Sequence, residues 1–178
     1  MVSESKELIG ISLTHRIDAG GFSPHIDSSA YNHVKNIKHL SVNFAVDDSV
    51  PANGCLEVVS GSHEVDVPIG SDNCIQPSWV KSQTWIQVEM NAGDVLVFGS
   101  YLAHRSAANH SNTDRKAVYA TYNRASEGDL HDEYYARRKI EWPPTHLRTP
   151  DQNFDAGALR YGFGSPMLSV DLGYKLAV

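Results

Sequence analysis

The sequence predicts an all-β sandwich or barrel that carries one C-terminal helix and a loop-rich tail. Three observations support this. Short runs of β-formers recur, turn residues punctuate them at regular intervals, and helical signal is sparse outside one stretch. The chain has 178 residues, 41% of them hydrophobic, which suits one domain with a sizeable core.

Residues 8–17 are apolar with Ser, Thr and His interspersed, and they end at Asp18-Ala19-Gly20-Gly21, a strand followed by a turn. Residues 39–46 are rich in β-formers and lead into Asp47-Asp48, then Pro51-Ala52-Asn53-Gly54. The Asn-Gly pair turns the chain into a strand over 55–59, which Gly61-Ser62 closes. Residues 79–88 and 94–98 read as two more strands, separated by Asn91-Ala92-Gly93. Residues 117–122, where small and aromatic side chains alternate, form the last. The helix is expected over 127–140, opened by Ser126 as N-cap and stopped by Pro143-Pro144. Beyond it, 145–178 has Gly, Pro and Asn throughout and reads as an extended tail packed on the barrel. The expected organisation is a single domain over 1–178, with a barrel core at about 8–123 and a C-terminal extension at about 124–178.

A net charge of -6 argues against a nucleic-acid partner, which would call for a basic stripe. Arg137-Arg138-Lys139 sits beside Asp132, Glu133 and Glu141, as on a solvated helix face. No run approaches the roughly 20 apolar residues that cross a bilayer, so no membrane partner is expected. The polar start, Met1 to Lys6, has no apolar signal-peptide core, and Cys55 and Cys74 lack any CxxC spacing. These features lead to the expectation of a cytoplasmic protein.

His25-Ile26-Asp27, then His104 and Arg115, say most about chemistry. Two histidines and a carboxylate are the ligand set of a mononuclear non-haem Fe(II) site with open positions. An arginine shortly after the second histidine could hold the far carboxylate of a keto-acid co-substrate by a bidentate pair. Together they point to an iron- and 2-oxoglutarate-dependent oxygenase. A rival pair exists in His131-Asp132-Glu133. Residues i and i+2 point the same way in a strand but lie roughly 200° apart on a helix. His131 and Glu133 fall in the expected helix, so the first pair survives.

With those residues in place, the chain resembles the phytanoyl-CoA dioxygenase family of Fe(II)/2-oxoglutarate oxygenases over roughly 9–144. The resemblance lies in Asn53-Gly54-Cys55-Leu56-Glu57-Val58-Val59-Ser60-Gly61-Ser62-His63, and in Gly93-Asp94 followed by His104-Arg105-Ser106, Asn109, Ser111 and Arg115. It implies a double-stranded β-helix, the jelly-roll or cupin-like barrel, with the metal at one open end. It implies His25, Asp27 and His104 as the iron ligands. Arg115 would anchor the distal carboxylate of 2-oxoglutarate, with Ser106 bonding the same group, and Asn43 would touch the co-substrate from the neighbouring strand. His63 is expected to close a loop by hydrogen bonds.

The implied reaction takes Fe(II), 2-oxoglutarate and O2, releases succinate and CO2, and hydroxylates a C–H bond of a small molecule. Trp79, Trp85, Tyr31 and Tyr101 are candidate pocket aromatics. Lys35, Lys38 and Arg105 are candidate cations for an anionic substrate. Only 24 residues precede His25, so the family's N-terminal buttressing region is expected to be absent. An uncovered sheet would then invite self-association. The alternative function is a truncated, inactive family member with a binding role or none.

Overall fold

The computed structural model describes residues 5–15 (backbone only), 20–33, 38–149 and 151–162. Among the described residues, eight antiparallel strands form two four-stranded sheets. The first sheet has the order β1 (Ser5–His15), β8 (Arg115–Arg124), β3 (Leu40–Ala45), β6 (Val95–Gly99). The second has the order β2 (Phe22–His25), β7 (His104–Ser106), β4 (Leu56–Val58), β5 (Ile86–Val88). The chain changes sheet at every connection except β4 to β5, the winding of a jelly roll. Residues 16–19 of the expected first strand and turn, and 163–178 of the tail, lie outside the described residues.

Alternation assigns the two faces of the first sheet unusually. Ser41, Asn43, Arg115, Thr121 and Asn123 are buried there beside Ala45, Phe98 and Ala117, so its inner face is largely polar. On its outer face Leu40, Phe44, Val95, Val97 and Val118 are 37–55% exposed, and the register pairs Phe44 with both Val95 and Val118. A polar interior behind an apolar exterior is the reverse of a simple sandwich and marks the interior as a binding space. The apolar core lies against the second sheet instead. Ile26, Val59, Val67, Ile75 and Ala103 cluster there, with Trp79, Trp85 and Tyr101 packed on them.

Several expected elements are corrected. The strand expected over 79–88 is a helix, α1 (Pro77–Ser82), followed by the short β5. Proline at the first helical position favours that start, and the Trp85 indole N–H donates to the Val80 carbonyl at 3.1 Å to cap the turn. The fold therefore has a second helix besides the C-terminal one. That helix, α2 (His131–Glu141), starts four residues later than expected and Ser126 does not cap it. Residues Ala125–Glu127 form a separate 3-10 turn and Gly128, at φ 92°, breaks the path between them. Asp129 accepts the His131 N–H in place of the expected cap. The start of the tail is not extended but coils into short turns at Thr145–Leu147, Asp155–Gly157 and Ala158–Gly162, tied to α2 by the Arg160–Glu141 ion pair.

Candidate metal centre and co-substrate pocket

Two short neighbouring strands bring the histidines together. β2 ends at His25 and β7 begins at His104, and the antiparallel register sets these two residues opposite each other with ring centroids 4.2 Å apart. Ile26 is extended, at φ -122° and ψ 140°, so Asp27 returns to the same side as His25. Asp27 Oδ1 lies 3.7 Å from His25 Nε2 and 3.4 Å from His104 Nε2. Among the described residues, these are the set of His, Cys, Asp or Glu side chains whose donor atoms converge, all within 4.8 Å of one another.

The surroundings fix each donor. His25 Nδ1 donates to the Ser23 carbonyl at 2.6 Å and His104 Nδ1 to the Leu102 carbonyl at 2.9 Å. Both Nε2 atoms are thereby turned inward. The Ser41 hydroxyl donates to Asp27 Oδ2, leaving Oδ1 to the histidines. Burial, with the neighbouring His104, pulls the His25 pKa down to about 4 despite the Asp27 charge and the Ser23 bond. Burial also pushes on Asp27 and His104, but it loses there. The two hold each other charged, Asp27 well below the carboxylate range and His104 above the histidine range. Two imidazole nitrogens and one carboxylate oxygen that converge in this way are a donor set that suits a non-haem Fe(II).

The inner face of the first sheet leads away from these residues. Asn43 and Tyr119 are register partners, and the Asn43 amide donates to the Tyr119 hydroxyl at 2.9 Å, leaving its buried Oδ1 without a partner. Burial pushes the Tyr119 phenol up to about 12, so it stays neutral beside Arg115. Arg115 is 4% exposed and donates from Nε to the Asn53 carbonyl at 3.2 Å and from Nη2 to the Gly54 carbonyl at 3.0 Å. A buried guanidinium beside a polar wall suits the distal carboxylate of a keto acid. Ser106 is buried on β7, where its Oγ accepts the Phe22 N–H at 3.1 Å.

A family model described as phytanoyl-CoA dioxygenase (PhyH) matches residues 4–117. The chain belongs to that family. A methylphosphonate hydroxylase of Gimesia maris is 36% identical over 121 residues, covering 67% of this chain and 46% of that protein. A 2-aminoethylphosphonate dioxygenase of an uncultured bacterium is 30% identical, covering 83% and 56%. The PhyH-family chain thus spans about half the length of these relatives. Among solved structures, EctD from S. alaskensis with 2-oxoglutarate and 5-hydroxyectoine superposes with a TM-score of 0.63 at 19% identity, covering 70% of this chain and 46% of that one. The epimerase SnoN, in complex with Fe3+, alpha ketoglutarate and nogalamycin RO, gives 0.58 at 21%, covering 68% and 50%. At these identities the likeness establishes the fold, the double-stranded β-helix.

Within this PhyH-family barrel, three expectations change. His63 does not close its loop. Its ring is half exposed beside Glu64, while the neighbouring Ser62 is buried and accepts the Ala103 N–H at 2.8 Å. Arg105 is committed to an ion pair with Glu57 and lies 4.2 Å over the Trp85 ring. Trp79 and Trp85 pack against the apolar core, and Tyr31 packs on His39 and Tyr134. Ser41 and Tyr119 were not read from the sequence. Both lie at even spacing from a residue that was, Ser41 from Asn43 and Tyr119 from Arg115, which is the signal a strand offers.

Proposed function

We propose that this chain carries the catalytic barrel of an Fe(II)- and 2-oxoglutarate-dependent dioxygenase that hydroxylates a C–H bond of a small polar molecule. The observation that carries the reading is the convergence of His25, Asp27 and His104 at one end of a polar inner face that also bears buried Arg115. His25, Asp27 and His104 would hold the metal. Arg115, together with Ser106, would bind the distal carboxylate of 2-oxoglutarate, and Asn43 with Tyr119 would line its path. The bound iron would supply O2 activation coupled to decarboxylation of 2-oxoglutarate to succinate and CO2.

The protein's own share is orientation and exclusion of water. The backbone carbonyls of Ser23 and Leu102 hold the imidazoles, Ser41 holds the carboxylate, and the buried wall keeps the reacting end dry. The phosphonate chemistry named for two relatives supports a small, polar substrate. Among the described residues no helix is long and apolar enough to cross a membrane. Cys55 and Cys74 form no disulfide, which supports a reducing, cytoplasmic setting. The uncovered apolar face supports self-association between copies, read as a concentration-dependent sedimentation coefficient.

Anaerobic addition of Fe(II) and 2-oxoglutarate tests the reading. A visible metal-to-ligand charge-transfer band is expected, and it disappears in His104→Ala and Asp27→Ala. Folded protein without the band would instead identify a silent barrel.

A further inference from the structure

Of the three converging side chains, two stand on paired strands and the third does not. His25 and His104 are fixed by the register of β2 against β7, whereas Asp27 opens a 3-10 turn, Asp27–Ala30, just past the strand. The barrel supports this turn from one side. The Ser41 hydroxyl donates to Asp27 Oδ2, and the Ser28 N–H donates to the Ser100 carbonyl at 2.9 Å. A second support comes from the C-terminal extension.

Tyr31 closes the turn, its N–H donating to the Ser28 carbonyl at 3.2 Å. Its ring stands edgewise on His39 at 4.7 Å and tilted against Tyr134 of α2 at 5.7 Å, and its hydroxyl bonds the Thr121 side chain. Most of α2 is exposed, and Tyr134 is its buried residue. With Leu130, Tyr134 forms a small apolar cluster against Tyr31, Tyr135 and Tyr161, apart from the core on the second sheet. Another tie lies two residues beyond Tyr31. Arg137 Nη1 donates to the His33 carbonyl at 2.9 Å, while its Nη2 donates to Glu133, one helical turn back, at 2.6 Å. The Tyr161 ring, in the turn at Ala158–Gly162, stands edgewise on His33 at 5.0 Å. The family match ends at residue 117, so Tyr134, Arg137 and Tyr161 all come from beyond it.

We propose that α2 is a positioning element for the metal centre. Tyr134, acting through Tyr31, and Arg137, acting through the His33 carbonyl, hold the Asp27 turn where its carboxylate meets the two imidazoles. This concerns the site of the function proposed above and rests on that reading of its metal. Ligand side chains must be held to about 0.5 Å by the residues packed around them, and a turn is a looser mount than a strand. Release of α2 from Tyr31 removes half of that packing, and the carboxylate then spends part of its time away from the histidines. The coupling runs both ways. If docked α2 raises iron affinity, bound iron tightens α2 on the barrel by the same factor.

The test takes two readings on the full chain without oxygen: calorimetric titration of Fe(II), and amide hydrogen exchange of α2 with and without Fe(II). Tyr134→Leu is expected to lower iron affinity at least fivefold, the lower end of ordinary coupling between sites, and Tyr134→Phe to keep it. Arg137→Met, at an exposed position, should lower it at least twofold. Bound iron should slow exchange across α2 in the wild-type chain and not in Tyr134→Leu. A helix that only stabilised the fold would lower the melting temperature of Tyr134→Leu and leave the iron affinity of its folded fraction unchanged. That result overturns the inference, as does iron binding that leaves exchange in α2 untouched. Should Tyr134→Leu fail to fold, Arg137→Met and the exchange of the wild-type chain decide. The charge-transfer band with 2-oxoglutarate is read separately on the same proteins. Iron-linked protection of α2 without a band keeps this inference and removes the dioxygenase. A band with equal affinities and no such protection removes this inference alone, and a chain that binds no iron overturns both.

Discussion

At the scale of single residues, the metal site is a problem of protons. His25 is neutral at pH 7, since its pKa sits at about 4. His104 is shifted the other way, above the usual histidine value, because the charge of Asp27 and the bond between them outweigh burial. Metal uptake near neutral pH is therefore expected to release protons, drawn from His104 rather than His25. Affinity should climb with pH and level off once His104 has passed its raised pKa. Calorimetry in two buffers of different ionisation enthalpy measures this directly, and Asp27→Asn should remove both the proton release and most of the affinity. Arg115→Gln is expected to weaken 2-oxoglutarate by about 2–5 kcal/mol while leaving metal binding intact, because it truncates one partner of a buried charge pair. The convergence of His25, Asp27 and His104 was legible in the sequence because residue types and order pointed to it, and Arg115 was singled out by its spacing from His104. Ser41 and Tyr119 were not, because their roles depend on register, which becomes visible only when β3 and β8 are paired.

Among the elements, the turn at Pro51–Asn53 does more than reverse the chain. Gly54 follows it at φ 76°, a Cβ there would stand 2.4 Å from the Ala107 carbonyl oxygen, and the Gly54 carbonyl accepts from Arg115. Gly54→Ala should cost at least the 1–2 kcal/mol of a left-handed residue, plus the clash, and raise the KM for 2-oxoglutarate together with the loss of melting temperature. Ser62→Ala leaves the buried Ala103 N–H without its acceptor, one residue from His104. A loss of about 1–3 kcal/mol in denaturant unfolding is expected, with weaker metal binding as the accompanying sign of a displaced β7. The Asn-Gly turn and the longer strands were readable from composition. β2 and β7, at four and three residues, were too short to show a period. The run from Trp79 to Val88 looked like a strand because its large apolar residues serve the same core, whichever way the backbone coils beneath them.

For the molecule as a whole, acid is the expected weakness. His25, His33 and His39 all sit at about 4 in the fold, below the usual 6.5, chiefly through burial. Groups depressed in the fold give stability that is complete above 6.5 and is lost as pH falls toward 4. His104, raised in the fold, works in the opposite sense, giving stability that fades as pH rises through its own value. Three groups against one, with His33 discounted for its partial exposure, predict a melting temperature that drops between pH 6.5 and 4.5. The jelly-roll winding has one more outcome, and it concerns time. Among the described residues β1 pairs with β8, Ser5 opposite Arg124, so the two partners are separated by nearly the whole barrel. At 5–20 residues per second, a ribosome needs roughly 6–24 s to cover that gap. For that interval β1 lacks this partner, and closure of the first sheet waits for β8 to emerge, which makes the nascent chain a natural client for a holding chaperone.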